Sequence, residues 1–239
     1  MVNLTHGRSR TLKNMEKEIF VAPRANRSTR NLSERSKART YVETGAFRPY
    51  GGESQKVKFD SLGEFDAFVT ITANYSVADM VEQPPAIEYV DAEGRPRCKV
   101  IDQVYTFIDG TKAATEVKPA ARAKAQNLEE KLSFVAAAMP PEFAETLVLI
   151  TEENYDQWEA LNARRLLAYR REDDPEAASI IAGLAAELEL PVTIRELIAR
   201  AAIGGRAWPE VFKAIYAGVL RPLEDGIINL EMLVEGGAK

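Results

Sequence analysis

The chain has 239 residues, 46% of them hydrophobic, with a formal net charge of −5, one cysteine and one histidine. That is enough apolar material for one large or two small cores, which excludes a wholly disordered chain. Cys98 alone excludes an intrachain disulfide and a Cys-based zinc site, and a buried reduced thiol is expected. His6 sits in a polar N-terminal segment, so His-dependent triads and HExxH zinc sites are excluded, and any chemistry must run on carboxylates, lysine and metal. No apolar run approaches the roughly 18 residues of a membrane span, and the start, with Arg8, Arg10 and Lys13, lacks a secretion signal. A cytoplasmic protein with no membrane partner is expected.

The charge is unevenly spread. Residues 1–50 carry eleven Lys and Arg against four Glu, a net of +7 that leaves −12 on the remainder. Residues 1–52 read as a basic N-terminal arm closed by the turn-rich Gly45-Ala-Phe-Arg-Pro-Tyr-Gly-Gly52. Such an arm on an acidic body suits contact with nucleic-acid phosphates, although a solvated tail has the same composition. Ser61 followed by Leu62, Phe65, Phe68, Val69 and Thr72 predicts an N-capped helix over 61–74, carrying Glu64. Short β-like runs follow at Val77–Val81, Ile87–Val90, Cys98–Ile108 and Lys112–Val117, separated by turn-forming residues, and together they read as a meander. A helix with Leu128, Leu132 and Val135, a strand at Leu147–Ile150 and a helix at Tyr155–Tyr169 complete a mixed α/β unit, residues 53–170. After the charged break Arg170–Pro175, helices at 176–188, 193–202 and 208–217 and a β-like Gly226–Leu230 define a small helical, winged-helix-like unit, residues 171–239, for DNA or a partner.

The chemistry-bearing segment runs from Asp102 to Lys118. Side chains alternate along a strand, so Glu116 and Lys118 share a face. Asp102 joins that face only if the hairpin register has an even sum, for example 102 opposite 118. A two-residue Asp109-Gly110 turn gives an odd sum, whereas a three-residue loop at 109–111 with positive φ at or near Gly110 gives an even one. Asp102 and Glu116 would then hold Mg²⁺, or Mn²⁺ in its place, with water filling the remaining positions. Lys118 would orient that water or stabilise negative charge, and Glu64 could add a third carboxylate. Arg122 and Lys124, just beyond, are candidate phosphate contacts, although a solvated helix face has the same look. Trp158 and Trp208 read as core or interface anchors, and Glu82 as a structural strand-end acid.

With these residues in view, the chain resembles the TnsA family of transposon-end nucleases. The resemblance is carried by Phe59-Asp-Ser-Leu-Gly-Glu64-Phe-Asp-Ala-Phe68, Val81-Glu-Gln-Pro-Pro85, Ile87-Glu-Tyr-Val-Asp91, Asp102 and Glu116-Val-Lys-Pro119, over roughly residues 57–150. It implies a restriction-endonuclease-like domain of the PD-(D/E)xK type with Glu64, Asp102, Glu116 and Lys118 as active site, Glu116 standing where some members have glutamine. It further implies Mg²⁺-dependent cleavage of one strand of double-stranded DNA at a transposon end, beside a transposase and an ATPase regulator. Where the family has proline-aspartate-phenylalanine, this chain has Ile101-Asp102-Gln103. A phage or defence nuclease without a transposase, and a non-catalytic DNA-binding protein on the same scaffold, are the alternatives.

Overall fold

The structure is a computed structural model that describes residues 23–29, 41–45, 55–74, 76–171 and 173–237. Most of the expected basic arm therefore lies outside the described residues. Strand β1 (Tyr41–Gly45) pairs antiparallel with β2 (Gln55–Phe59), which turns Gln55, Val57 and Phe59 inward. Helix α1 (Leu62–Asn74) starts as its sequence demands. The Glu64 N–H donates to Ser61 Oγ at 3.2 Å, and the helix buries Phe68, Val69 and Thr72.

Strand β3 (Val77–Glu82) follows. Gln83, at φ +42°, and Pro84-Pro85 then take the chain out of the sheet. It enters a separate hairpin of β4 (Ile87–Val90) and β5 (Pro96–Lys99) before returning as β6 (Gln103–Phe107) and β7 (Lys112–Val117). The run expected to be continuous from Cys98 to Ile108 is thus broken at Val100–Asp102, where Ile101 turns fully into the core. The four runs do not form one meander. Cys98 is exposed on β5 rather than buried, because the hairpin stands off the sheet.

Helices α2 (Ala120–Ala125) and α3 (Leu128–Ala138) carry the chain across to β8 (Thr146–Ile150), parallel to β7, as a parallel pair requires. The central sheet runs β3-β6-β7-β8, with the first three strands antiparallel. On one side of it, Val135 of α3 joins Ile87, Ile101, Val104 and Ala114 in a small apolar cluster. On the other, Phe68, Met80 and Tyr105 belong to the main core.

Helix α4 (Gln157–Tyr169), capped by Asp156, packs on α1. Arg164 Nε bonds Asp66 Oδ1 at 2.8 Å, and the Arg170 guanidinium donates to the Thr72 and Ala73 carbonyls at 2.6 and 3.3 Å. The last turn of α1 has no basic residue of its own, so its exposed carbonyls are satisfied from α4. Beyond it lie α5 (Pro175–Ala186), β9 (Val192–Thr193), α6 (Ile194–Ala201), α7 (Ala207–Tyr216), β10 (Leu220–Pro222) and β11 (Leu233–Gly236). The strands pair antiparallel in the order β10-β11-β9. The expected strand at Gly226–Leu230 is absent. There the Asn162 side chain donates to the Gly226 carbonyl at 2.9 Å and accepts from the Ile228 N–H at 3.1 Å, taking backbone groups a ladder would need.

The expected boundary at 170/171 is not a gap in the packing. One apolar cluster runs from Phe59, Phe68 and Tyr105 through Leu166 to Leu197, Phe212 and Val234. Trp208 belongs to this junction: its indole N–H donates to Tyr169 Oη at 2.9 Å and its ring packs edge-on against Phe212. Among the described residues no helix is long and apolar enough to cross a membrane.

Candidate active site

The register of the β6–β7 hairpin decides whether a site can form. Gln103 lies opposite Thr115, Val104 opposite Ala114 and Thr106 opposite Lys112. The sum is even, as the chemistry demands, but two smaller than in the example of 102 opposite 118. Continued by one residue, it sets Asp102 directly across from Glu116. The loop again has three residues, at 108–110 rather than 109–111: the Phe107 N–H bonds the Thr111 carbonyl at 2.9 Å, and Gly110 takes φ +88°. Asp109 Oδ1 accepts from the Thr111 N–H and hydroxyl at 2.9 and 2.7 Å. That turn tightens the loop one residue early and so shortens the register.

Each of the two facing carboxylates has one oxygen fixed. Asp102 Oδ2 accepts from the Val117 N–H at 2.8 Å, and the Asp102 carbonyl accepts from the Gln83 N–H at 2.9 Å. Glu116 is fully buried; its Oε1 takes the Lys99 ammonium at 2.5 Å, with the Lys118 ammonium at 3.6 Å, while its buried Oε2 has no hydrogen-bond partner. Desolvation, and then the charges of Glu116 and Glu64, push the Asp102 carboxyl up to about 7, against the Val117 N–H and Lys118, which favour its charged form. Like-charged carboxylates forced together behave in this way, and a bound cation relieves the repulsion.

Glu64 is buried, and both its oxygens are engaged: Oε2 accepts from the Asp60 N–H at 2.8 Å and Oε1 from the Ser61 hydroxyl at 3.0 Å. Burial raises its pKa over the lowering effect of those bonds and of Lys118. It therefore closes the N-terminus of α1 as a capping residue while standing close enough to Asp102 to act on it electrostatically. Among the described residues no three His, Cys, Asp or Glu side chains gather as a ready-made metal cluster. Asp102, Glu116 and Lys118 meet at the end of the sheet, and Glu64 adjoins them with its oxygens committed elsewhere.

The sequence reading missed Lys99. It lies on a different hairpin from Glu116, seventeen positions away, and no local spacing links the two. It also missed the use made of residues 24–29. Arg27 bonds Asp79 Oδ2 at 2.8 Å and the Met80 carbonyl at 2.5 Å, Ser28 Oγ bonds Gln83 Oε1 at 2.9 Å, and the Thr29 N–H bonds the Gln83 carbonyl at 3.0 Å. Part of the basic arm is thus fastened to the strand that borders the site, and Arg27 is committed to the fold. Glu82, next door, is buried, and neither of its oxygens makes a well-formed hydrogen bond. Its pKa is raised by burial, only partly offset by the backbone N–H groups of Glu82 and Arg27 and by the charges of Arg27 and Lys58.

Arg122 and Lys124 are exposed on α2. Lys124 stands at the rim of an open cleft of about 730 Å³ that includes Asn127, Leu149 and Glu152. The N-terminus of α2 is already capped, the Ala120 N–H donating to Glu152 Oε2 at 2.9 Å. The sequence matches no protein-family model and no curated protein.

Proposed function

We propose that this chain is a metal-dependent DNA endonuclease of the PD-(D/E)xK type, acting in the manner of the TnsA family on one strand at a transposon end. The observation that carries this reading is the pairing of Asp102 and Glu116 across the β6–β7 register, one oxygen of each pinned, with the Lys118 ammonium beside them. Three antiparallel strands followed by a helical crossover and a parallel strand agree with the restriction-endonuclease-like arrangement expected from the sequence.

The donor set fits a hard divalent cation. Glu116 Oε2, buried without a partner, and Asp102, its pKa raised by burial and then by its anionic neighbours, both gain from a positive charge set between them. Mg²⁺, or Mn²⁺ in its place, would supply an acidified water and charge stabilisation at a phosphoryl oxygen when bound. Asp102 and Glu116 would hold it, the Val117 N–H and the two lysines keep the carboxylates in place, and Lys118, about a third exposed, would face the phosphate or the attacking water. Glu64 closes the end of α1 and adds negative charge beside Asp102. Double-stranded DNA is the substrate, with a transposase and its ATPase regulator as partners, and the exposed Arg122 and Lys124 contact the backbone.

The C-terminal unit has the strand and helix order of a winged helix, yet α7, which would read bases, is enclosed. It packs on α4, α5, α6 and β10, with Trp208 and Phe212 against Tyr169. The unit serves to dock a partner rather than to enter a major groove.

Calorimetric titration of Mn²⁺ or Mg²⁺ into wild type, Asp102→Ala and Glu116→Ala tests the reading. Binding heat in wild type, lost in both variants, supports it. No binding by wild type even with DNA present, or binding by both variants as in wild type, sinks it and favours a non-catalytic DNA-binding scaffold.

A further inference from the structure

Lys99 ends β5, the outer strand of the hairpin that stands apart from the central sheet, and its ammonium donates to Glu116 Oε1 at 2.5 Å. Lys118, the lysine of the sequence motif, is an ion-pair neighbour of the same oxygen at 3.6 Å, beyond hydrogen-bond distance. The orientation of the Glu116 carboxylate is therefore set by a residue outside the motif. A fully buried carboxylate is costly unless it is paired and hydrogen-bonded. With Oε1 committed to the ammonium, Oε2 is left buried and without a partner.

The hairpin that carries Lys99 is held in place. Lys99 lies opposite Ile87 in the β4–β5 register. Ile87 is buried with Ile101, Val104 and Val135, so β4 is pinned between the loop leading into β6 and helix α3. A continuous path runs from α3 through β4 and β5 to Lys99 and then to Glu116. Lys99 is 27% exposed and Glu116 wholly enclosed, so the ammonium bridges solvent and the buried carboxylate.

We propose that Lys99 is a positioning residue: it holds Glu116 by Oε1 so that Oε2 is the oxygen offered to a divalent cation, and it makes the β4–β5 hairpin part of the active site. The inference rests on the nuclease reading above. Partners that orient a metal ligand in this way set metal affinity without touching the metal, and their loss typically costs about 10- to 100-fold.

The test uses the full chain and Mn²⁺ alone, with dissociation constants from calorimetry and the number of bound ions from electron paramagnetic resonance. Lys99→Met should weaken Mn²⁺ binding by about 10- to 100-fold, and Lys99→Arg, which keeps the charge and the donor, should restore most of it. Should the Met variant fail to fold, Lys99→Gln keeps a neutral donor near Oε1 and should fall between wild type and Arg on one side and a complete loss on the other. Rescue by Arg separates positioning from mere filling of space.

Unchanged affinity in Lys99→Met overturns the proposal. So does tighter binding, which would make Lys99 a competitor of the cation. Glu116→Gln serves as the control: if it abolishes binding while Lys99→Met matches wild type, only the role of Lys99 fails. If wild type itself takes up no Mn²⁺ even with DNA present, the nuclease reading fails and the role of Lys99 with it.

Discussion

The sheet half of the molecule and the C-terminal half treat buried polar groups in opposite ways. Between Gln55 and Glu116 lie eight buried polar or charged residues, among them Glu64, Glu82, Gln83, Gln103 and Glu116. Three carboxylate oxygens there, two on Glu82 and one on Glu116, make no well-formed hydrogen bond. From residue 160 onward the buried polar residues among those described are Asn162 and Glu210. Asn162 clamps two backbone groups, and Glu210 takes the Lys213 ammonium at 2.8 Å. Buried charge left unsatisfied is destabilising. On the nuclease reading proposed above, its concentration around Asp102 and Glu116, and its absence among the described residues of α5–α7, set a region shaped by a task against one shaped by stability. Removing an ionised carboxylate from the first region and a fully bonded polar group from the second should therefore have opposite signs.

The largest effect is expected in the C-terminal half. Asn162→Ala strands the Ile228 N–H and the Gly226 carbonyl and frees the segment that follows β10. Each abandoned buried group costs about 1–3 kcal/mol, and a total of ~2–4 kcal/mol should appear as a lower urea midpoint with an unchanged slope. A loss below ~1 kcal/mol would mean that water replaces the clamp and that the contrast between the halves is weaker than drawn here.

In the sheet half the sign reverses. The folded state raises the Asp102 pKa to about 7, against ~3.9 in an unfolded chain. The fold thus disfavours the ionised form: the stability associated with this group is complete below pH ~3.9 and is lost as pH rises through about 7. Asp102→Asn removes that loss. Without added metal, the variant should be more stable than wild type at pH 8, by on the order of 1 kcal/mol once partial solvation is allowed for. The gap should close as pH falls through 7 and be gone near pH 4. Excess Mn²⁺ at pH 8 should stabilise wild type and not the variant. Melting curves across this range decide it, and a variant less stable than wild type at pH 8 would remove the electrostatic part of the comparison.

How far the sequence spoke for itself follows the range of the interactions. Ser61 capping α1 and the apolar spacing of α1 and α4 are set by neighbours within a turn or two, and both were legible; the parity of the β6–β7 register stood only as a condition for the site. The exact register was not legible, because Asp109 could close its turn around Thr111 in more than one frame. Lys99 was invisible because its partner belongs to another hairpin. Glu64 was legible as a residue near the site but not as a helix cap, since the same side chain serves both descriptions. Cys98 and the Gly226–Leu230 segment were misread for different reasons: a strand residue is buried only where its strand packs into the sheet, and β-prone residues make a strand only when backbone partners are free. The β4–β5 hairpin leaves the sheet, and Asn162 occupies the second segment's backbone groups.

Gln83 supplies the finest test of the sheet half, because it holds an unfavourable backbone conformation alongside its contacts. At φ +42° it occupies the left-handed region without being glycine, which costs about 1–2 kcal/mol for a residue bearing a Cβ. In return its N–H fixes the Asp102 carbonyl, its carbonyl takes Thr29, and its side chain links Ser28 to Asp60 Oδ2 at 3.0 Å. Gln83→Ala loses the side-chain links and keeps the strain; Gln83→Gly loses the same links and relieves it. The glycine variant should therefore be more stable than the alanine variant by ~1 kcal/mol, the reverse of their usual order. Both should fall below wild type in urea unfolding. If alanine proves the better substitute, the backbone at this position is relaxed, and the tie between the docked N-terminal segment and Asp102 is ordinary packing rather than conformation held under strain.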